Sequence, residues 1–348
     1  MKRNYLKRVT EQTPTRFWIN NVTRREADCA IEAGARGCTQ NPSYVWKILN
    51  SSEDKDYASE TIKTKFAEYS NDNELLCWTQ RELVSGIAKK FLPIFEASHG
   101  AEGFVSIQGD PFHEDTESIV RYARFNREAG PNIMAKVPVT EEGLKAIEVL
   151  IKEGVPINAT ECMAIRQVID VCELYVKVSG GMANPAPLYF SLITGIYDEY
   201  LHKHVAANNI DVCPDTLWQA GVSIAKKVHE IVNFRRYPCG FIGGGARGLH
   251  HFTEMVGGNA NITINWVGTA DKLIEQDAPV VCRFLQPTPH EVIDTLSEKL
   301  EDYRKAYYIH AIEPHEYEEF GPVALFRSTF EDGWEKALIY IKNFRESN

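Results

Sequence analysis

Short apolar runs alternate with amphipathic stretches along most of the chain. The runs are FWINN (Phe17–Asn21), GCTQNPS (Gly37–Ser43), FVSIQGD (Phe104–Asp110), NIMAKVP (Asn132–Pro138), INATEC (Ile157–Cys162), LYVKVSGG (Leu174–Gly181), GFIGGG (Gly240–Gly245) and NITINWV (Asn261–Val267). Continuous apolar runs of this kind read as strands buried on both faces, as in a parallel sheet covered by helices. Stretches with helical patterning follow several of them, at Thr116–Arg127, Glu141–Glu153 and Ala164–Cys172. Strand then helix, repeated, predicts parallel βαβ units. About eight such units close a (β/α)8 barrel, so the pattern predicts an α/β protein of TIM-barrel type. A doubly wound open sheet is the runner-up.

The chain has 348 residues, and such a barrel typically needs ~250. The surplus is assigned to helical insertions at about 44–98 and 182–214, the second with a helix around Tyr189–Leu201, and to C-terminal helices over about 287–348. Within that tail the patterns fall near Pro289–Tyr307 and Phe330–Glu346, and the aromatic-rich segment Glu313–Phe330 is expected to pack against the barrel. No low-complexity or Ser/Gly/Pro-rich linker divides the chain, so residues 1–348 are read as one barrel domain.

Barrel enzymes work at the C-terminal ends of their strands. The runs end in polar residues where Val, Ile and Leu would ordinarily fill the barrel. These are Asn20, the Thr39–Ser43 segment, Ser106 with Gln108 and Asp110, Lys136, Asn158 with Thr160, Ser179, Arg247 and Asn265. Residues two apart share a strand face, so Asn158 and Thr160 point one way, as do Ser106 and Gln108. Lys136 is the sharpest of these. Burial disfavours its ammonium, and a deprotonated lysine amine is a carbonyl nucleophile. Asp110 is expected to cap the helix after its strand. Glu161, next to Thr160, should face away from the barrel interior, and it can serve as a base there only if the strand ends at that point. His113 and His250 lie on loops at the same barrel end.

The net charge of −10 argues against a nucleic-acid or anionic-membrane surface, and the Trp and Tyr residues are not interleaved with basic ones. The N-terminal MKRNYLKRVT lacks an apolar signal region, no run is long enough to span a bilayer, and a cytoplasmic location is expected. The eight cysteines form no CxxC pair, and the His250-His251 pair lacks a metal-spaced partner, so no metal is expected. A monomer and a homo-oligomer both remain open.

Several segments resemble the transaldolase family of class I, Schiff-base aldolases, over about Phe17 to Trp266. GCTQNPS is similar to the family's GVTTNPS, and VSIQGDP to its VS-x-E-x-DP strand. AKVPVTEEGLKAI resembles the lysine-containing I/V-K-I/V-P-A-T-x-x-G-x-x-A-I signature. INAT is similar to N-x-T, and GGGAR to GASFR. The resemblance implies that Lys136 forms an imine with a ketose. It implies that Asn41 and Asn158 bind substrate hydroxyls, that Thr160 helps hold a catalytic water, and that Arg247 binds a phosphate or similar anion. Ser179 is placed with the substrate-binding residues at the sixth strand end. It implies no cofactor beyond the covalent lysine imine, and a sugar or sugar-phosphate substrate.

The departures are as specific. Asn20 stands where the family has an aspartate that accepts a hydroxyl proton, and an amide cannot do so. Gln108 stands in place of a glutamate that helps activate the water, and relatives resembling fructose-6-phosphate aldolase also carry glutamine there. Both are kept as catalytic candidates. The family's S-P-F-V-G-R sixth strand is replaced by VSGGMANP (Val178–Pro185). These changes also fit a sugar-binding or sensing barrel without turnover. GGGARG (Gly243–Gly248), with Asp271 beyond it, matches a dinucleotide motif. Its late place in the series favours an anion-binding nest of backbone N–H groups instead, with no nicotinamide cofactor.

Overall fold

In the computed structural model, which describes residues 4–346, eight parallel strands close into a barrel in sequence order. They are β1 (Arg16–Asn20), β2 (Cys38–Thr39), β3 (Val105–Gln108), β4 (Ile133–Pro138), β5 (Ile157–Cys162), β6 (Leu188–Ile193), β7 (Gly240–Gly244) and β8 (Asn261–Ile264). The expected (β/α)8 barrel with a C-terminal helical extension is what forms. β1 pairs with β8 as well as β2, which closes the ring and leaves no sheet edge.

Alternation along the strands sorts side chains into layers inside the barrel. Trp18, Phe104, Met134 and Ile242 form a buried plug at the N-terminal end, with Tyr189 and Phe95 packed against it. Glycines make room for it: a Cβ on Gly37 would lie 2.4 Å from the Trp18 ring, and one on Gly240 2.1 Å from the Tyr189 ring. Two residues further along β4 comes Lys136, aligned with Gln108 of β3 and Asn158 of β5. The closed bottom thus holds aromatic and aliphatic bulk, and the polar residues lie toward the C-terminal mouth.

The sixth strand is not the one the sequence pattern picks out. LYVKVS (Leu174–Ser179) is the last part of a helix, Ile165–Ser179, whose buried face runs Ile165, Val168, Ile169, Cys172, Tyr175. These residues repeat at three- and four-residue intervals, and the helix simply continues through them. β6 is instead LYFSLI, inside the stretch read as a 182–214 insertion. The helix expected around Tyr189–Leu201 is therefore a strand followed by a helix at Thr194–Asn208. The stretch is an ordinary βα unit of the barrel.

Residues 44–98 hold three helices, Tyr44–Leu49, Lys55–Lys65 and Asp72–Ala97. The tail holds His290–Lys299, Glu301–Tyr307 and a long final helix, Gly321–Glu346. The last begins well before Phe330 and buries Phe326, Phe330, Trp334 and Ala337. Among the described residues no helix is long and apolar enough to cross a membrane.

Candidate active site

A cavity of about 380 Å³ opens at the C-terminal mouth. Asn20, Thr39, Asn41, Lys136, Thr160 and Ser191 line it from the strands and the residues just after them. Lys47, Arg247, Thr263 and Asn265 line its sides, and Phe326 and Thr329 of the final helix reach it from above. Phe326 and Thr329 belong to the Glu313–Phe330 segment expected to pack against the barrel, and through them the C-terminal helix also covers part of the mouth.

Lys136 is only 8% exposed. Burial drives its pKa down from the ordinary 10.5 to about 8, against the attraction of the Glu161 and Glu114 carboxyls, which favour the ammonium. Its Nζ lies 5.3 Å from the centre of the Phe330 ring. A lysine near pKa 8 is neutral in about a tenth of molecules at pH 7, against roughly one in 3,000 for an exposed lysine.

Glu161 does not face outward. β5 shifts register against β6 between Ala159 and Cys162, and Glu161 sits at the irregularity with φ +64°. A left-handed backbone at a residue with a Cβ costs about 1–2 kcal/mol. The bulge breaks the two-residue alternation and turns the carboxyl inward, where Gln108 Nε2 donates to Oε1 at 2.9 Å. The same nitrogen donates to Glu114 Oε1 at 3.1 Å. Glu114 lies on the loop after β3, and Arg327 of the final helix approaches its other oxygen at 3.5 Å. Both carboxyls are pushed up from the usual range, chiefly by burial, and the charge of Glu161 pushes Glu114 further. Gln108 Oε1, Glu161 Oε2 and Thr160 Oγ1 are buried without a protein partner.

The amide candidates divide. Asn20 faces the cavity, donating to Asn265 Oδ1 at 3.0 Å and accepting from Thr39 Oγ1 at 2.9 Å. Asn41 also lines it, with Oδ1 held by the Ser43 backbone N–H and hydroxyl. Asn158 lies one layer deeper: Nδ2 donates to Ser106 Oγ at 3.1 Å and Oδ1 accepts from Ser191 Oγ at 2.7 Å. It is fully buried and supports the floor of the site without lining the cavity. Gln108 is likewise behind the wall.

Ser179 does not belong to the site. It ends the helix before β6, at the opposite end of the barrel unit, and its hydroxyl donates to Tyr175 O. The sixth strand's serine is Ser191, and the signal for it was the apolar run LYFSLI after Pro187. Asp110 does not cap the helix Thr116–Arg127; Asp115 does, accepting from Ser118 N. Asp110 instead fastens the turn, accepting from Phe112 N and holding His113 and Asn73.

Arg247 lines the cavity and its Nε donates to Glu199 Oε2 at 2.5 Å. The expected nest is already filled: the N–H groups of Arg247 and Gly248 point at His251 Nδ1, at 3.4 and 3.2 Å. His251 Nε2 lies 2.9 Å from Asp198 Oδ2, and Asp198 Oδ1 accepts from Gly221 N. Asp198, His250 and His251 bring three potential ligand atoms within 4.8 Å. Both ring nitrogens of His251 are engaged, Nδ1 by the Arg247–Gly248 backbone and Nε2 by Asp198, so the geometry fits a clasp for the Arg247 loop. The glycine motif leads to a helix of only four residues, His250–Thr253, too short to cradle a pyrophosphate as a dinucleotide fold does. Lys47, which donates to Asn21 O and pairs with Glu26, adds a further cation to the lining, where Lys47, Lys136 and Arg247 stand with one lining carboxylate, Glu26.

The family model described as Transaldolase/Fructose-6-phosphate aldolase matches residues 17–307. The final helix, which carries Phe326, Arg327, Thr329 and Phe330, lies beyond that match. A transaldolase of Thiobacillus denitrificans is 27% identical over 229 residues, covering 62% of this chain and 63% of its own. A transaldolase of Saccharopolyspora erythraea is 31% identical over 169 residues, 46% of this chain and 45% of its own. Transaldolase 2 of Nostoc punctiforme is 28% identical over 188 residues, 51% of this chain and 48% of its own. The chain thus spans between 45% and 63% of the length of these relatives.

Proposed function

The chain belongs to the transaldolase/fructose-6-phosphate aldolase family, and from that premise we propose that it is a Schiff-base enzyme that cleaves and forms a C–C bond in a ketose. Lys136 carries the proposal: a lysine at the C-terminal mouth of the barrel, desolvated and held near pKa 8, facing a cavity of sugar size. Its neutral amine adds to the ketose carbonyl. Loss of water from the carbinolamine gives an iminium, which draws the electrons of the adjacent C–C bond as the neighbouring hydroxyl gives up its proton. An aldehyde departs and an enamine of a dihydroxyacetone-type unit stays on Lys136. The enamine then adds to a second aldehyde, or is protonated and hydrolysed.

The lining sorts the substrate. Asn20, Asn41 and Thr160 offer hydroxyl partners, and Arg247 with Lys47 favours an anionic far end such as a phosphate. The reaction needs no cofactor beyond the lysine itself. A second reading, a sugar-binding barrel without turnover, draws on the amides at Asn20 and Gln108. Aldehyde release and cross-product formation, measured with ketoses and ketose phosphates with and without an acceptor aldehyde, separate the two. Turnover that disappears in K136M supports the enzyme. Tight ketose binding without turnover across the panel supports the alternative.

A further inference from the structure

We propose that Glu161 is the proton donor and acceptor for the Lys136 reaction, with Gln108 and Glu114 as the hydrogen-bonded frame that positions it. The inference rests on the Schiff-base reading of Lys136. It answers a gap in that reading: breaking the C–C bond requires a base, and Asn20 supplies only an amide.

Three observations carry it. First, the backbone spends strain to bring this carboxyl inward. Glu161 takes φ +64° at a break in the β5 register, where regular alternation would have pointed it at the surrounding helices. Second, it is held beside Gln108, just behind the cavity wall that Thr160 lines, with one oxygen uncommitted. It is 1% exposed to solvent, its Oε1 is tied to Gln108, and its Oε2 has no protein partner. Third, Glu161 and Glu114 both lie within 3.1 Å of one nitrogen, Gln108 Nε2. Burial pushes both carboxyls up from their usual range, and the charge of Glu161 pushes Glu114 further, so the enclosure favours a protonated carboxyl in this pair. The groups facing this pair are Lys136 on β4, Gln108 on β3, Glu318 just before the final helix, and Arg327 and Glu331 on that helix.

The proton accounting closes. Glu161 as the acid gives its proton, relayed by a water at Thr160, to the carbinolamine hydroxyl. Water leaves, the iminium forms, and Glu161 becomes a carboxylate. That carboxylate then takes the proton from the hydroxyl beside the scissile bond, through a water held by Thr160, as the bond's electron pair moves into the iminium. Glu161 ends protonated, and the free aldehyde and enamine are formed. The carboxyl that the family places on the first and third strands is supplied here from the fifth, by one bulged residue.

The test is the rate at which dihydroxyacetone and borohydride fix an adduct on Lys136, set beside direct acylation of the same amine. In E161Q acylation of Lys136 does not slow, because the variant removes an acid whose ionised form favours the ammonium. Adduct formation with dihydroxyacetone falls about 100-fold, the lower end of what a positioned acid–base group contributes. A Glu161 that merely tuned the lysine would leave neither rate lower. The exchange variant E161Q/Q108E returns a carboxyl to the same hydrogen bond from the other side and restores adduct formation to within about tenfold. E161D, a smaller change to the fold, slows it about 10–100-fold through misplacement of the carboxyl. Wild-type rates in E161Q or E161D overturn the assignment while leaving Lys136 in place. Absence of any adduct in the wild type overturns the assignment together with the Schiff-base reading.

Discussion

The ring of Phe330, on the C-terminal helix, stands 5.3 Å from the ammonium nitrogen of Lys136 on β4. The contact acts on the lysine in two opposite ways. A ring face attracts a cation by about 0.5–2 kcal/mol. The same ring, itself buried, keeps water from the amine. A fall from 10.5 to about 8 is on the order of 3 kcal/mol against the charge, so exclusion of water prevails.

F330A should therefore raise the lysine's pKa toward its ordinary value, although it removes a favourable cation contact. The cavity left behind should also lower stability by about 3–5 kcal/mol. Thermal unfolding and the pH midpoint of Lys136 acylation check both. A midpoint that moves to lower pH would mean that the ring acts chiefly as a cation partner.

In the wild type, acylation of Lys136 should rise about tenfold from pH 6 to pH 7 and bend near pH 8. Other lysines should keep rising toward pH 10. The sign follows from the lowered pKa: the reactive neutral amine accumulates as pH climbs through that value. Peptide mass mapping after brief acylation at each pH gives the profile for every lysine at once.

Much of this arrangement could be read from the sequence, for a simple reason. On β3, β4 and β5 the interior residues alternate regularly, so Gln108, Lys136, Asn158 and Thr160 sit at strand positions that period two assigns correctly. Alternation failed where the backbone departs from it. Glu161 turns inward only because of a bulge, and a bulge without glycine leaves little trace in the sequence. The sixth strand was missed for another reason. LYVKVS carries enough β-branched residues to resemble a strand although it ends a helix, while LYFSLI runs directly into the next helix and its apolar pattern merges with it. Glu114 and Arg327 come from a loop and a distant helix, and only the closed fold brings them to Gln108.

Arg247 is held by Glu199 while its guanidinium borders the cavity. R247A should lower kcat/KM for a phosphorylated ketose about 10–100-fold, the range for loss of a charge-assisted hydrogen bond. For an unphosphorylated ketose the change should stay within about threefold. Equal losses on both substrates would place Arg247 in loop structure and not in anion recognition.

Ser191 donates to the buried Asn158 Oδ1 at 2.7 Å. S191A leaves that oxygen without its donor in the barrel interior, which should cost about 1–3 kcal/mol. S191T, which keeps the hydroxyl, should recover part of the loss. Chemical denaturation of the three proteins measures it, and an S191A protein as stable as the wild type would show that the hydrogen bond contributes nothing net.

The central claim is a covalent bond between one amine and a ketose carbon. Borohydride added to the protein with each of a panel of ketoses and ketose phosphates, followed by digestion and peptide mass analysis, tests it directly. The account predicts a single reduced adduct on the peptide carrying Lys136, absent from K136R. An unmodified Lys136 across the panel, or an adduct on a different lysine, would contradict it.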